Sequence, residues 1–164
     1  MKEIGAEGQE KLRQARVALV GMGALGTVAA ELLVRAGVKN LMLIDRDVIE
    51  ESNLQRQSLF TEKDVGKSKA ETAKQKLKEI NSSAKIEAQS IHLNSENINI
   101  LKNFDLLLDC TDNLETRFLL NDFCKKEQIK WIYAAAIKTE GYVLPILPDG
   151  PCLRCFLKEA SLDT

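Results

Sequence analysis

Arg16-Val17-Ala18-Leu19-Val20-Gly21-Met22-Gly23-Ala24-Leu25-Gly26 is an apolar run that breaks into a glycine-rich turn and resumes with helical spacing. Val17 to Val20 show no polar alternation, as expected of a parallel strand buried on both faces. Gly21 and Gly23 remove Cβ atoms where the chain must turn tightly and a phosphate must approach backbone N–H groups. Gly26 lets the following helix pack closely on the strand. Asp45 lies 19 residues after Gly26, at the end of a second apolar run from Leu41 to Ile44. That is the place for a carboxylate that holds a ribose hydroxyl. The stretch reads as strand, phosphate-cradling turn and helix, and by itself does not choose among nucleotides.

Working outward, Leu25, Val28, Ala29, Leu32 and Leu33 recur at spacings of three and four, predicting a helix from Leu25 to Ala36 that Gly37 stops. A second helix is expected from about Gly66 to Ile80, with Ala70, Ala73, Leu77 and Ile80 inward and Lys67 and Lys69 in its first turn. Cations there oppose the helix dipole, so either they belong to a solvated lysine-rich face or an anion sits before them. Residues 85–93 predict a weaker strand, and Phe104 to Cys110 another parallel one, followed by a helix from Leu114 to Lys126. Trp131 to Ile137 adds a strand, and Gly141 to Leu147, broken by Pro145, belongs at a sheet edge. Strands alternating with helices predict an α/β, Rossmann-like domain, a mostly parallel sheet with helices on both faces.

The 164 residues suffice for one domain and are few for two. A net charge of −1 provides no basic field to attract nucleic acid or an anionic membrane. No apolar stretch spans a bilayer and the first 16 residues are polar, so a cytoplasmic protein is expected. His92, the single histidine, has no Cys or carboxylate at triad or metal-ligand spacing, and no Ser-His-Asp or Cys-His arrangement is present.

The segment Ser52-Asn53-Leu54-Gln55-Arg56-Gln57 follows the second strand, at the edge where parallel sheets bind ligands. It is either a solvated connection or a source of amide and guanidinium groups for phosphate oxygens. Asp112 admits two readings: an N-cap paired with Glu115, or a Mg²⁺-facing carboxylate. Cys152-Leu153-Arg154-Cys155 is half a tetrahedral zinc site, a redox pair or two ordinary thiols. Zinc is favoured over thioredoxin-like chemistry because no redox-type βαβ unit surrounds it. Cys110 and Cys124 read as buried, inert thiols.

Taken together, the glycine turn, Asp45-Arg46-Asp47, Ser52 to Gln57, Asp64-Val65-Gly66-Lys67-Ser68-Lys69, Cys110-Thr111-Asp112-Asn113 and Cys152 to Cys155 resemble the ubiquitin-activating-enzyme-like adenylyltransferases. The similarity is strongest to members that activate sulfur carriers in molybdopterin and thiamine biosynthesis. The resemblance implies that residues 1–164 form a single ATP-binding adenylation domain. Gly21, Gly23, Ala24 and Gly26 would lie against ATP, with Ala24 standing where glycine is common. Asp45 would bind the ribose, Asn53, Arg56 and Lys69 would hold the phosphates, and Asp47, Ser52, Leu54 and Gln55 would also belong to the nucleotide site. Asp112 would organise Mg²⁺ beside Asn113, while Cys152 and Cys155 would supply half of a structural Zn²⁺ site.

The implied reaction joins the C-terminal Gly-Gly carboxylate of a ubiquitin-like sulfur-carrier protein to AMP, releasing pyrophosphate, with Arg56, Lys69 and Asp112 doing the electrostatic work. Relatives act as homodimers, begin with an Arg-containing segment and continue past Thr164 to a reactive cysteine and a second Cys-x-x-Cys. The chain is therefore expected to be incomplete at both ends. The other function classes are an NAD-dependent dehydrogenase, which leaves Arg56 and Lys69 unexplained, and a nucleotide- or partner-binding module without turnover.

Overall fold

A computed structural model describes residues 4–160. Its elements are α1 (Gly5–Gln14), β1 (Arg16–Val20), α2 (Ala24–Ala36), β2 (Asn40–Ile44), α3 (Lys69–Ile80), β3 (Lys85–Gln89), β4 (Leu106–Asp109), α4 (Leu114–Glu127), β5 (Lys130–Ile137), β6 (Glu140–Ile146) and α5 (Leu153–Ala160). The expected terminal stretch, residues 161–164, lies outside the described residues.

The strands form one sheet in the order β3-β2-β1-β4-β5-β6, with only the β5–β6 pair antiparallel. β1 therefore lies centrally, which explains its unbroken apolar run. Successive side chains of a strand point to opposite faces, and the core divides accordingly. Val17 and Leu19 join Leu41, Leu43 and Ile86 beneath Ala30 and Val34 of α2 and Ala73 and Leu77 of α3. Ala18 and Val20 join Met42, Leu107 and Trp131 beneath Leu120 and Phe123 of α4 and Leu153 of α5. Helices thus cover both faces, as the alternation of strands and helices predicts. Each fully buried Leu or Ile on either face contributes about 1.5–3 kcal/mol over an exposed one.

One expected boundary shifts by three residues. The second predicted helix starts at Lys69, with Ser68 as N-cap accepting from the Glu71 N–H. Lys67 consequently lies outside the helix, and its ammonium meets Asp64 at 3.4 Å. Pro145 sits in β6, an edge strand, where its missing N–H is tolerated. No helix among the described residues is long and apolar enough to cross a membrane.

In this strand order the connections from β1 and β4 diverge to opposite sides of the sheet, opening a crevice at their carboxyl ends.

Candidate active site

An open cleft of about 510 Å³ occupies that crevice, a volume suited to a nucleotide-sized ligand. Its back wall is the turn after β1. Gly21 has φ +95°, and a Cβ there would lie 2.7 Å from the Cys110 carbonyl oxygen, so only glycine fits. A Cβ on Gly26 would fall onto the Gly21 carbonyl oxygen, which is the close helix–strand approach that its position predicts. Gly23 differs: a Cβ there would meet only Gln57 Nε2, at 3.7 Å.

Gly23 is also the N-cap of α2, and neither a side-chain cap nor a first-turn carboxylate neutralises that helix start. The first N–H groups of a thirteen-residue helix are thereby left facing the cleft at the positive end of the dipole. Gly23 and Ala24 line the cleft, whereas Gly26 packs behind the turn.

The loop after β2 forms one side. Asp45 Oδ2 accepts the Met22 N–H at 2.6 Å and its Oδ1 accepts the Asp47 N–H at 2.8 Å, tying the glycine turn to the β2 loop. Burial raises the Asp45 carboxyl above the ordinary carboxylate range, and these two N–H groups pull the other way. Lys69, at the start of α3, reaches back to Asp47 Oδ2 at 3.1 Å. Arg56 stands exposed in the cleft with one N–H on the Ser52 carbonyl at 3.2 Å.

Ser52, Asn53, Leu54 and Gln55 lie outside the cleft lining. The Asn53 amide is buried in a one-turn helix, where its Oδ1 accepts the Glu50 N–H at 3.2 Å. It shapes the segment that presents Arg56. This loop is anchored lower down by Asp64, which accepts from the Thr61 N–H and hydroxyl and pairs with Lys76 at 2.8 Å. Burial opposes ionisation of Asp64, but the Lys76 and Thr61 hydrogen bonds outweigh it and hold the carboxyl well below the usual range.

The loop after β4 forms the other side. Asn113, rather than Asp112, caps α4, its Oδ1 accepting the Thr116 N–H at 2.9 Å. The N-cap reading of Asp112 is thereby corrected. Asp112 lines the cleft, and its carboxylate makes no hydrogen bond or ion pair among the described residues. A single unpaired carboxylate suits Mg²⁺, which takes one or two carboxylates and completes its shell with phosphate and water.

The cleft also gathers residues that the motif reading did not assign. Gln57 is 2% exposed, with Oε1 lacking a hydrogen-bond partner. Arg46 Nη1 lies 3.2 Å from His92 Nδ1. Arg117 reaches the floor from α4. Gln57 adjoins Arg56 in sequence, and Arg117 falls one turn after Asn113, so proximity to the motifs was their only sequence signal.

The four thiols fall into two pairs. Burial pushes Cys110 and Cys124 up to about 12, so both stay protonated. The Cys152 and Cys155 sulfurs are 3.6 Å apart, close to the roughly 3.8 Å separation implied by two tetrahedral Zn–S bonds of about 2.3 Å. Among the described residues no group of three potential metal ligands occurs, so the pair fits only half of such a site.

The sequence is 43% identical over 158 residues to the sulfur carrier protein ThiS adenylyltransferase of Bacillus subtilis, covering 94% of this chain and 47% of that protein. It is 40% identical over 161 residues to the SAMP-activating enzyme E1 of Haloferax volcanii, covering 98% of this chain and 60% of that protein. The fold superposes on the crystal structure of E. coli MccB with ATP at a TM-score of 0.83 and 29% identity, over 90% of this chain and 45% of that one. The chain thus spans less than two thirds of these relatives' length. The ThiF family profile matches residues 1–163, and the chain belongs to the ThiF family.

Proposed function

We propose that this chain is the ATP-binding adenylation domain of an enzyme that activates the C-terminal Gly-Gly carboxylate of a ubiquitin-like sulfur-carrier protein. The observation that carries this reading is one cleft holding the unneutralised start of α2, the cations Arg56 and Lys69 and the unpaired Asp112. The ThiS adenylyltransferase and the SAMP-activating enzyme support the choice of substrate class. The dehydrogenase reading leaves the two cations beside the glycine turn unexplained.

In the reaction a carrier carboxylate oxygen attacks the α-phosphorus of ATP. The bond from that phosphorus to the bridging oxygen breaks, giving an acyl-adenylate and pyrophosphate. No protein nucleophile takes part, and catalysis rests on alignment and charge. Lys69 and Arg56 neutralise the departing pyrophosphate, with Asp47 holding the Lys69 ammonium in place beforehand. The N–H groups of Ala24 and its neighbours cradle phosphate oxygens, and Asp45 holds the ribose while fixing the turn through Met22. Asp112 would hold Mg²⁺, which would supply further charge neutralisation on the phosphates.

The Lys69→Ala variant of the longer protein is expected to lose carrier-dependent exchange of pyrophosphate into ATP. Unchanged exchange would overturn the role given to Lys69. Calorimetric titration with Mg-ATP and separately with NAD decides the cofactor: preferential NAD binding restores the dehydrogenase reading.

The same proposal takes the longer protein to be a cytoplasmic homodimer with a structural Zn²⁺ on Cys152 and Cys155. The outer stripe of α2 supports association, since Val28 and Leu32 are 44% and 62% exposed and continue from Leu25 in the cleft wall. A monomer by sedimentation equilibrium, or a zinc-free protein by elemental analysis, contradicts the corresponding part.

A further inference from the structure

Beneath Asp112 lies charge that the reaction above does not use. Asp109, the last residue of β4, is fully buried, and Arg117 of α4 is 7% exposed. Both converge on Thr111. Asp109 Oδ1 accepts the Thr111 N–H at 2.9 Å and the Thr111 hydroxyl at 2.7 Å. Arg117 Nη2 donates to the Thr111 carbonyl at 2.6 Å. Every polar group of Thr111 is held, and two residues later Asn113 is pinned as the cap of α4. Asp112 sits between these two fixed points with its own carboxylate unpaired.

Stability alone does not account for this arrangement. A buried ion pair can often be replaced by apolar residues of similar volume at no loss, because desolvation offsets the attraction. This pair is also imperfect: Arg117 Nε and Asp109 Oδ2 are 3.5 Å apart, and neither atom has a hydrogen-bond partner. Arg117 is further restrained by Tyr133, whose ring centroid lies 5.0 Å from the guanidinium carbon. The good hydrogen bonds all go to Thr111, so the pair is built to hold that residue.

We infer that Asp109 and Arg117 are positioning residues that clamp Thr111 and thereby aim the Asp112 carboxylate at a divalent cation in the cleft. This rests on the proposed Mg²⁺ role of Asp112. The clamp removes the freedom of the peptide before Asp112, so that the carboxylate meets the cation without first being ordered.

The test is calorimetric binding of α,β-methylene ATP to the 164-residue chain, with and without Mg²⁺. The proteins compared are the wild type, Asp112→Ala, Thr111→Val, Arg117→Lys and the Asp112→Ala/Arg117→Lys double variant. Asp112→Ala is expected to erase the gain in affinity that Mg²⁺ confers. Thr111→Val and Arg117→Lys are expected to shrink that gain about five- to tenfold, a larger loss than either shows without Mg²⁺, and the double variant to match Asp112→Ala alone, as coupled neighbours do. Cooperative thermal unfolding of Thr111→Val, which exchanges only the hydroxyl for a methyl, separates positioning from loss of the fold.

A full Mg²⁺ gain in both clamp variants, with Asp112→Ala still defective, overturns the clamp and leaves the Mg²⁺ role standing. Equal losses with and without Mg²⁺ in Arg117→Lys overturn it in favour of direct nucleotide contact. An Asp112→Ala protein that keeps the Mg²⁺ gain overturns the role of Asp112 itself and the clamp with it.

Discussion

The strands on either side of β1 end in the same local device and use it differently. Asp45 follows β2 and accepts the N–H of Asp47, while Asp109 ends β4 and accepts the N–H of Thr111. In each case a carboxylate folds back on its own chain two residues on. The second oxygen makes the difference. Asp45 gives it to the Met22 N–H of the glycine turn, whereas Asp109 leaves it facing the Arg117 guanidinium at 3.5 Å. One turn joins two loops at the ligand edge; the other joins its loop to a helix behind it. A carboxylate at a strand end is therefore ligand-facing or structural according to what meets its second oxygen.

The comparison predicts its largest contrast in stability. Asp109→Ala leaves Arg117 buried without a counter-charge and is expected to destabilise the domain by about 3–5 kcal/mol. Asp45→Ala, less buried and backed by backbone N–H groups alone, is expected to remove about 1–3 kcal/mol. It should nevertheless reduce nucleotide affinity more than any clamp variant that still folds. Urea unfolding and calorimetry on the two variants check both halves. Equal losses of stability would show that the guanidinium contributes nothing that a backbone N–H does not.

A similar contrast exists within the glycine turn. Gly26→Ala drives a methyl into the Gly21 carbonyl and is expected to remove about 1–3 kcal/mol or more, as overpacking does. Gly23→Ala has an ordinary φ of −85° and meets only Gln57, so stability should change by less than about 0.5 kcal/mol. Its nucleotide affinity should fall sharply if a phosphate approaches there. A Gly23→Ala protein that binds normally would mean the ligand sits away from the turn.

Much of this was legible in the sequence because the signals are local. A short uninterrupted apolar run that breaks into a glycine turn reads as a buried strand, and glycine is diagnostic where a Cβ would strike backbone, as at Gly21 and Gly26. The alternation of strands and helices carries the fold class, a mostly parallel sheet with helices on both faces. What sequence could not show is which polar side chain points where. Asn53 and Arg56 look equally suited to phosphate, yet the Asn53 amide is spent on its own turn while Arg56 reaches the cleft. Asp112 and Asn113 look equally able to cap α4, and a one-residue difference in backbone geometry decides for Asn113. Arg117 and Asp109 become a unit only when β4 and α4 pack together, a long-range fact with no spacing of its own.

The pH dependence of stability separates the two kinds of buried carboxylate by sign. Asp64 titrates below the ordinary value of about 3.9, because the Lys76 and Thr61 bonds outweigh burial; Asp109 titrates above it, because burial outweighs the Thr111 bonds and Arg117. A depressed carboxyl contributes stability above its unfolded value and loses it as pH falls through the folded one. A raised carboxyl does the reverse: its protonated form contributes at low pH, and that contribution is lost as pH rises through the folded value. The stability gap between wild type and Asp64→Asn, about 1–2 kcal/mol near neutrality, should therefore narrow on acidification below about pH 4. The gap between wild type and Asp109→Asn should move in wild type's favour over the same descent. Urea midpoints from neutrality down to about pH 3 measure both. Parallel profiles would mean that Asp64 and Asp109 experience the same balance of burial and hydrogen bonding, and the distinction between an anchored surface loop and a sealed clamp would collapse.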